Sequence, residues 1–278
     1  MSASASKSPQ THPQNAVTAP HVGKFLPLNT YSKIKKVIGV ASGKGGVGKS
    51  LVTSCMAIMA QRKGYNVGIL DADISGPTIP YSFGVTQKAR VDKRGAYPEL
   101  TYSGIRIMSV NLLLDDVEAP IMWGGAVVST IVKQFWSEVC WGNLDVLFID
   151  MPPGTGDIPQ TIYGSIPLNG VIFVSTPQEM IQKIVMKAVN MATIFHVPVL
   201  GIVENMAYTI CPDCGHSHAV FGKGGLMELC DELHVPLPAQ IPFQPNTAHD
   251  CDNGVIERID NAALFHATEK VLQKIGLN

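Results

Sequence analysis

Short apolar runs recur along the chain from about residue 35 onward, and longer segments with helical periodicity separate them. Each run is nearly continuous rather than alternating, which is typical of strands buried on both faces of a sheet. The pattern predicts an α/β fold with a doubly wound, mostly parallel sheet, helices on both faces and ligands at the carboxyl ends of the strands. The predicted strands are Val37–Ala41, Val67–Leu70, Ile105–Val110, Val146–Ile149, Val171–Val174, Val199–Val203 and a shorter Ala239–Ile241, and the predicted helices are Ser50–Lys63, Ala126–Val139, Glu179–Phe195, Gly225–Leu233 and Asn261–Ile275.

The two ends of the chain differ in character. Residues 1–32 are rich in Ser, Ala, Pro, Gln and Thr with little apolar periodicity, which predicts a disordered tail before a single domain over 33–278. The tail lacks acidic residues, as transit peptides do, but it also lacks arginine and an amphipathic face. The last predicted helix has one apolar face, and we expect that face to pack on the sheet rather than on a membrane.

Composition narrows the functional classes. A hydrophobic fraction of 46% supplies a large core, and a net charge of -1 argues against general nucleic-acid binding. The sequence contains no run of about 18 apolar residues, so it predicts no membrane-spanning helix. Of the six cysteines only Cys211 and Cys214 are close together, which suits a reducing compartment better than a disulfide framework. We therefore expect a cytoplasmic protein that binds neither nucleic acid nor a membrane.

The strongest chemical signal lies between the first predicted strand and the first predicted helix. There the spacing G-x4-G-K-S is that of a phosphate-binding loop, in which glycines let backbone N–H groups close on phosphate oxygens. Lys49 is predicted to contact the terminal phosphates, and the Ser50 hydroxyl is predicted to bind magnesium. The predicted nucleotide-binding loop comprises Gly43, Lys44, Gly45, Gly46, Val47, Gly48, Lys49 and Ser50.

Aspartates follow two further predicted strands. Asp150 ends one strand in the manner of a Walker-B residue, which holds the magnesium shell. Asp71 directly abuts another strand and is predicted to orient the loop or the magnesium waters, whereas Asp73 is the better candidate to orient the attacking water. Singly, each would be read as a helix cap or a turn residue, but their order on one sheet favours a nucleotide site.

A glycine-rich loop after Asp150 is predicted to sense the γ-phosphate. Its residues Pro153, Gly154, Thr155, Gly156 and Asp157 permit rearrangement on hydrolysis, although a rigid proline turn is the alternative.

The sequence evidence for the identity of the bound nucleotide base is weaker. The chain has no Asn-Lys-x-Asp sequence for guanine, which favours ATP over GTP. Asn205 follows another strand and is either a base contact or a cap.

The pair Cys211-Pro212-Asp213-Cys214 lies in a loop near 205–224, and its spacing suits soft metals or disulfide exchange. No helix pattern begins directly after it, which argues against thioredoxin-like exchange. Zinc and [4Fe–4S] centres commonly take four protein ligands, and the pair supplies two. The other two could come from His216 and His218 in a zinc site, or from a second copy of the chain across a twofold axis.

Lys44 is a second lysine in the phosphate loop. In an ordinary loop only the lysine before the serine is required, so Lys44 need not reach its own nucleotide. If the cysteine pair forms a site between two chains, Lys44 could reach the phosphates bound by the partner chain, as an arginine finger does. The alternative is that Lys44 is a solvent-exposed loop lysine without a role in binding.

The motifs GKGGVGKS, DADISGP, DMPPGTGD, CPDC and Ile241-Pro242-Phe243-Gln244-Pro245, in this order, resemble the Mrp/ApbC iron–sulfur carrier ATPases, related to nitrogenase iron protein and MinD. The resemblance implies a homodimer with ATP at each loop and a labile [4Fe–4S] cluster held by Cys211 and Cys214 of both subunits for transfer to apo iron–sulfur proteins. It further implies that Lys44 is the signature lysine and Asp73 the switch I aspartate, that Asn205 reads the adenine, and that Pro242 lies in the nucleotide-binding segment that flanks the base.

Two positions depart from the pattern of that family. Leu51 stands where a Ser or Thr is usual, and Gly124 stands where the family has arginine. Two other functions use most of the same motifs: a MinD- or ParA-like positioning ATPase, which would leave CPDC without a role, and an ATPase dimer stapled by structural zinc.

Overall fold

Twelve strands and eight helices make up the described part of the chain. The computed structural model describes residues 24–116, 123–222, 225–236 and 239–277. The strands are β1 (Ser32–Ser42), β2 (Val67–Asp71), β3 (Val91–Asp92), β4 (Gly95–Ala96), β5 (Glu99–Leu100), β6 (Arg106–Met108), β7 (Gly142–Asp150), β8 (Gly170–Ser175), β9 (Val199–Glu204), β10 (Thr209–Ile210), β11 (Ser217–His218) and β12 (Ala239–Gln240). The helices are α1 (Lys49–Arg62), α2 (Ile79–Ser82), α3 (Gly125–Ser137), α4 (Asp157–Ser165), α5 (Glu179–Ile194), α6 (Leu226–Glu232), α7 (Pro245–Asp252) and α8 (Ala262–Lys274).

The predicted doubly wound, mostly parallel sheet is confirmed. Eight strands pair in the order β12-β9-β8-β1-β7-β2-β6-β5, and only the edge strand β5 runs antiparallel to its neighbour. The register brings the carboxyl ends of β1, β7 and β2 to one edge, with Val40 opposite Asp150 and Asp71 opposite Asp150. The loop after β1 and the aspartates that end β2 and β7 therefore meet at that edge.

The core lies on both faces of the sheet. Along β1, Ile38 and Val40 pack in the layer that contains α1 and α8, while Val37 and Ala41 pack in the layer that contains α3, α4 and α5. Successive strand residues point to opposite faces, so a strand between two helical layers must be apolar at every position. This is why the sequence shows continuous apolar runs instead of alternation.

The last helix packs as expected. In α8 the buried residues Leu264, Ala267, Val271 and Leu272 join the same core layer as α1. Asn261 caps the helix, since its side chain accepts a hydrogen bond from the Leu264 N–H at 3.1 Å.

Part of the segment predicted as a tail contacts the domain. Residues 1–23 lie outside the described residues, but the chain is packed from residue 24 to β1. The Leu26 N–H donates to the Ser165 carbonyl, and the Trp136 indole N–H donates to the Leu26 carbonyl, both at 2.9 Å. The packed part of the chain thus extends N-terminally beyond the predicted boundary at residue 32.

Helices α2, α4 and α7 were not predicted from the apolar pattern. Helix α4 buries only Pro159, Ile162 and Tyr163, and its proline and glycine content hides a helical period. It begins at Asp157, so the predicted phosphate-sensing loop ends in the first turn of a helix. Across the described ranges, the protein has no helix with the length and hydrophobicity that a membrane span requires.

Candidate nucleotide site and cysteine hairpin

The phosphate loop joins β1 to α1 and leaves the first turn of that helix without a side-chain cap. Gly48 has φ +82°, and a Cβ there would lie 2.2 Å from Asn205 Nδ2, so both backbone conformation and space require glycine. Asn205 Nδ2 donates to the Val47 carbonyl at 2.9 Å and holds the loop in place. The uncapped N–H groups of α1, together with the helix dipole, form an anion-binding site.

Asp150 is the centre of the polar network beneath the loop. Lys49 Nζ and Ser50 Oγ reach its Oδ2 at 2.7 and 2.6 Å, and Thr53 Oγ1 donates to its Oδ1 at 2.7 Å. Lys49 and Asp150 are both buried. The predicted partners Lys49, Ser50 and Asp150 are therefore brought together, and Thr53 is a fourth member that the sequence reading missed. Its position four residues after Lys49, on the same helix face, is the sequence feature from which it could have been predicted.

Asp71 and Asp73 take different places beside this network. Asp71 is fully buried; it accepts hydrogen bonds from the Asp73 N–H at 3.2 Å and from Ser109 Oγ at 3.1 Å. Burial raises the pKa of Asp71 well above its usual range, the charge of Asp150 adds to the rise, and Lys49 opposes it. This position suits a carboxyl that orients the Asp73 loop. Ser109, at the end of β6, is another contact that no motif marked.

Asp73 is half-buried and lines the phosphate cavity. Its Oδ2 lies 3.6 Å from Lys49 Nζ, and Ser75 Oγ donates to its Oδ1 at 3.3 Å. Burial raises the pKa of the Asp73 carboxyl and Lys49 partly opposes that rise, which brings it closer to the range of a useful base.

A cavity of about 360 Å³ lies over the loop, and Lys44, Lys49, Asp73 and Pro153 are among its lining residues. The Gly154 N–H donates to the Ser42 carbonyl at 2.8 Å, so the predicted phosphate-sensing loop contacts the end of β1. Lys44 is exposed and makes no ion pair within the described residues.

The donor set fits a magnesium ion. The Ser50 hydroxyl and the Asp150 carboxylate are adjacent oxygen ligands of the kind that Mg²⁺ prefers, and Asp71 lies opposite Asp150 in the neighbouring strand, buried behind this pair. Lys49, which bonds to the same Asp150 oxygen, occupies the position from which its ammonium can turn to a phosphate.

A second cavity, of about 90 Å³, adjoins the first through Leu51, which lines both. Asn205 and Pro242, the two predicted base contacts, line it together with Gln244 and Asn261. A nucleotide whose phosphates occupy the loop would pass over Leu51 to place its base here. The sequence motifs did not mark Gln244 and Asn261, because they are 17 residues apart and meet only where the N-terminal ends of α7 and α8 come together.

Gly124 marks the other departure from the family pattern. It is the N-cap residue of α3, next to the half-exposed Trp123. A Cβ at Gly125 would come within 3.2 Å of the Asp157 carboxylate, so this helix start lies beside the phosphate-sensing loop.

Cys211 and Cys214 lie at the tip of the hairpin formed by β10 and β11, which we call the cysteine hairpin (Thr209–His218). The Cys211 N–H donates to the His216 carbonyl, and the Gly215 N–H donates to the Cys211 carbonyl, both at 2.9 Å. The N–H groups of Cys214 and Asp213 lower the pKa of the Cys211 thiol. A tight turn of this kind favours the thiolate, which is the metal-binding form.

The described residues bring no third metal-ligating side chain together with the two thiols. The rings of His216 and His218 contact each other edge to face, 4.8 Å apart. Over the ranges that the structure describes, no three His, Cys, Asp or Glu side chains are grouped closely enough to hold a metal ion. The arrangement in which both histidines complete a zinc site within one chain therefore does not occur. Cys55, Cys140 and Cys230 are buried, and Cys251 is partly buried.

A family model described as NUBPL iron-transfer P-loop NTPase, of the ParA group, matches residues 33–276. An iron-sulfur cluster carrier protein of Clostridium perfringens is 43% identical over 235 residues, covering 82% of each chain. A protein of the same description from Methanococcus maripaludis is 45% identical over 226 residues, covering 81% of this chain and 78% of the relative.

Solved structures agree with these sequence matches. The nucleotide-binding protein of Archaeoglobus fulgidus, solved in complex with ADP, superposes with a TM-score of 0.74 at 41% identity, covering 83% of this chain and 90% of that one. The cell division ATPase MinD of Pyrococcus furiosus superposes with a TM-score of 0.64 at 18% identity, covering 86% of this chain and 99% of MinD. The likeness to MinD shows a shared fold and nothing beyond it.

Proposed function

This chain belongs to the family of NUBPL-type iron-transfer P-loop NTPases, and we propose that it is an ATP-hydrolysing carrier that holds a [4Fe–4S] cluster between two copies of itself. The cluster is cargo, passed on to apo iron–sulfur proteins. The cluster-carrier description of the relatives and the ADP bound to the Archaeoglobus protein support the two halves of this proposal.

The cysteine hairpin is the observation that carries the cluster half. It presents two thiols at an accessible tip, and one of them has its thiolate stabilised by backbone N–H groups. A [4Fe–4S] cluster with four thiolate ligands needs two more, and the described residues of one chain supply no third ligand nearby. Two hairpins facing each other across a twofold axis provide all four. An exposed, two-chain site also suits a cluster that must leave.

The nucleotide half rests on the network under the phosphate loop. In hydrolysis a water oxygen bonds to the γ-phosphorus, the bond from that phosphorus to the β–γ bridging oxygen breaks, and ADP and phosphate leave. Asp73 orients the water from the cavity wall, and Lys49 turns from Asp150 to the phosphate oxygens. Ser50 and Asp150 would hold Mg²⁺, which when bound would supply positive charge against the negative charge of the phosphates.

Lys44 acts on the neighbouring subunit in this proposal. It is an exposed side chain at the edge of the phosphate cavity, without an ion-pair partner in the described residues. In a dimer that joins two such cavities, its ammonium can reach the phosphates of the facing nucleotide and neutralise charge that develops in the transition state.

Iron loading tests the proposal. Protein reconstituted without oxygen is expected to bind about four irons per dimer, in line with the cluster's composition. Cys211→Ala and Cys214→Ala should lose the iron and retain ADP binding, while the matched control Cys230→Ala, which alters a buried thiol away from the hairpin, should retain both. Unchanged iron binding in the Cys211→Ala and Cys214→Ala variants would contradict the cluster assignment. If the wild-type protein binds zinc in place of iron, the cysteines form a structural zinc site instead.

A further inference from the structure

Gln244 lies in the wall between two cavities. It lines the small base cavity together with Leu51 and Asn205, and it also lines a cavity of about 510 Å³ beside the cysteine hairpin. The side chain is exposed. The motif reading placed the adenine beside Asn205 and Pro242 and assigned nothing to Gln244.

The orientation of the Gln244 amide is fixed by its neighbours. Asn261 caps α8, so the atom that accepts from the Leu264 N–H must be its Oδ1, and its other terminal atom is the donor Nδ2. That Nδ2 lies 3.3 Å from Gln244, and the atom it meets must therefore be the acceptor Oε1. Thr247 Oγ1 donates to the same oxygen at 3.4 Å. The backbone donor of Leu264 thus decides both amide orientations.

The result is a free donor at the base cavity. Oε1 of Gln244 accepts from both neighbouring donors, and Nε2 makes no hydrogen bond within the described residues. Asn205 is oriented in the opposite sense, since its Nδ2 is committed to the Val47 carbonyl and its Oδ1 is left to accept. One acceptor and one donor therefore line the same small cavity.

This pair matches adenine better than guanine. Adenine carries the donor N6–H₂ with acceptor ring nitrogens, N1 and N7, on either side of it, whereas guanine carries the acceptor O6 in the same place. Asn205 Oδ1 can accept from the amino group but would oppose O6. The Gln244 Nε2 donor, next to Asn205 Oδ1, can then donate to adenine N1 or N7.

We propose that Gln244 is a base-specificity residue, whose Nε2 donates to the ring nitrogen of adenine beside the amino group. The proposal rests on the nucleotide half of the proposed function. It also gives a physical basis for the expected preference for ATP over GTP in a chain without a guanine-type motif.

Deaza analogues of ADP test the contact directly, because each replaces one acceptor nitrogen with C–H. Wild-type protein is expected to bind either 1-deaza-ADP or 7-deaza-ADP roughly two- to tenfold more weakly than ADP, the range for one neutral hydrogen bond. In Gln244→Ala the same analogue and ADP should bind equally. The matched control Asn246→Ala, which lines the hairpin cavity but not the base cavity, should keep the wild-type discrimination.

The outcomes separate the two proposals. If wild-type protein binds ADP and both analogues equally, or if Gln244→Ala discriminates as wild type does, the Gln244 assignment is overturned and nucleotide binding stands. If wild-type protein binds no ADP at all, the proposed function is overturned together with this assignment. A purely structural role for Gln244 would lower affinity for all three ligands by one factor and leave their ratios unchanged.

Discussion

Asp150→Asn should unfold more easily and lose its response to magnesium. The substitution keeps the shape of the side chain and removes its charge, at a position where Lys49, Ser50 and Thr53 all converge. With the amide turned so that Asn Oδ1 accepts from Lys49 and Ser50, Nδ2 can donate to Thr53 Oγ1, whose hydroxyl keeps the Lys49 carbonyl as its acceptor at 3.0 Å. What the buried Lys49 loses in either amide orientation is the negative charge of its partner.

The size of the effect follows from two opposing changes. Losing a charge-assisted hydrogen bond to a buried lysine costs about 3 kcal/mol, near the lower end for breaking a buried ion pair. Lys49 keeps Asp73 at 3.6 Å, and removing the Asp150 charge relieves its repulsion of the buried Asp71. Together these two effects offset about 1 kcal/mol of the loss, which is the free energy of a change of about one unit in the pKa of one carboxyl group. The net loss of unfolding free energy is about 2 kcal/mol, or a melting temperature lower by about 4–8 °C.

Asp145→Asn is the matched control. It is the same substitution in the same strand, β7, but the partner Lys35 is 61% exposed. A surface pair of this kind contributes about 0–1 kcal/mol, so Asp145→Asn should stay close to wild type in urea unfolding at neutral pH. ADP binding should tighten with magnesium in wild type and in Asp145→Asn, but not in Asp150→Asn. Equal stability of the two variants, or retained magnesium dependence in Asp150→Asn, refutes the role given to this carboxylate.

Three further predictions concern the two ends of the site. Gly48→Ala should weaken ADP binding by at least tenfold in titration calorimetry, because the strained φ and the clash with Asn205 together cost about 2 kcal/mol. Gly46→Ala is the control: its backbone is equally left-handed but its Cβ would lie in open space, so its ADP affinity should fall less. A larger loss of ADP affinity in Gly46→Ala than in Gly48→Ala would contradict this reasoning. The rate of Cys211 alkylation by iodoacetamide should have a pH midpoint below that of a free cysteine, because a lowered pKa keeps the thiol ionised as the pH falls. A midpoint equal to or above that of a free cysteine would exclude stabilisation of the thiolate by the backbone N–H groups. Mixing Lys44→Ala with Lys49→Ala chains should restore ATP hydrolysis that each lacks alone, and a mixture without activity would refute action across subunits.

Much of the phosphate site could be predicted from local spacing. A strand, a glycine loop and a helix follow one another directly, so Lys49 and Ser50 are placed by covalent geometry, and the parallel sheet brings the Asp150 strand end beside them. The sheet could also be predicted from local sequence, because strands that are buried on both faces must be apolar at every position and therefore appear as continuous apolar runs.

What the pattern did not predict depends on packing between distant segments. The Gln244–Asn261 contact joins the N-cap residues of α7 and α8, and no spacing rule relates the two residues. Asn205 was expected at the base, and it lines that cavity, but its bond to Val47 across 158 residues also anchors the loop. Helix α4 was missed because Pro159 interrupts the pattern in its first turn.

Native mass spectrometry of the anaerobically reconstituted protein tests the central claim most directly, since it reports the number of chains and the identity of the metal in one particle. The account predicts that the mass of four irons and four sulfides appears only on the dimer, and that mixing wild-type chains with Cys211→Ala chains leaves it only on dimers of two wild-type chains. A cluster carried by a single chain, or by a mixed dimer as fully as by a wild-type one, would contradict the two-chain site.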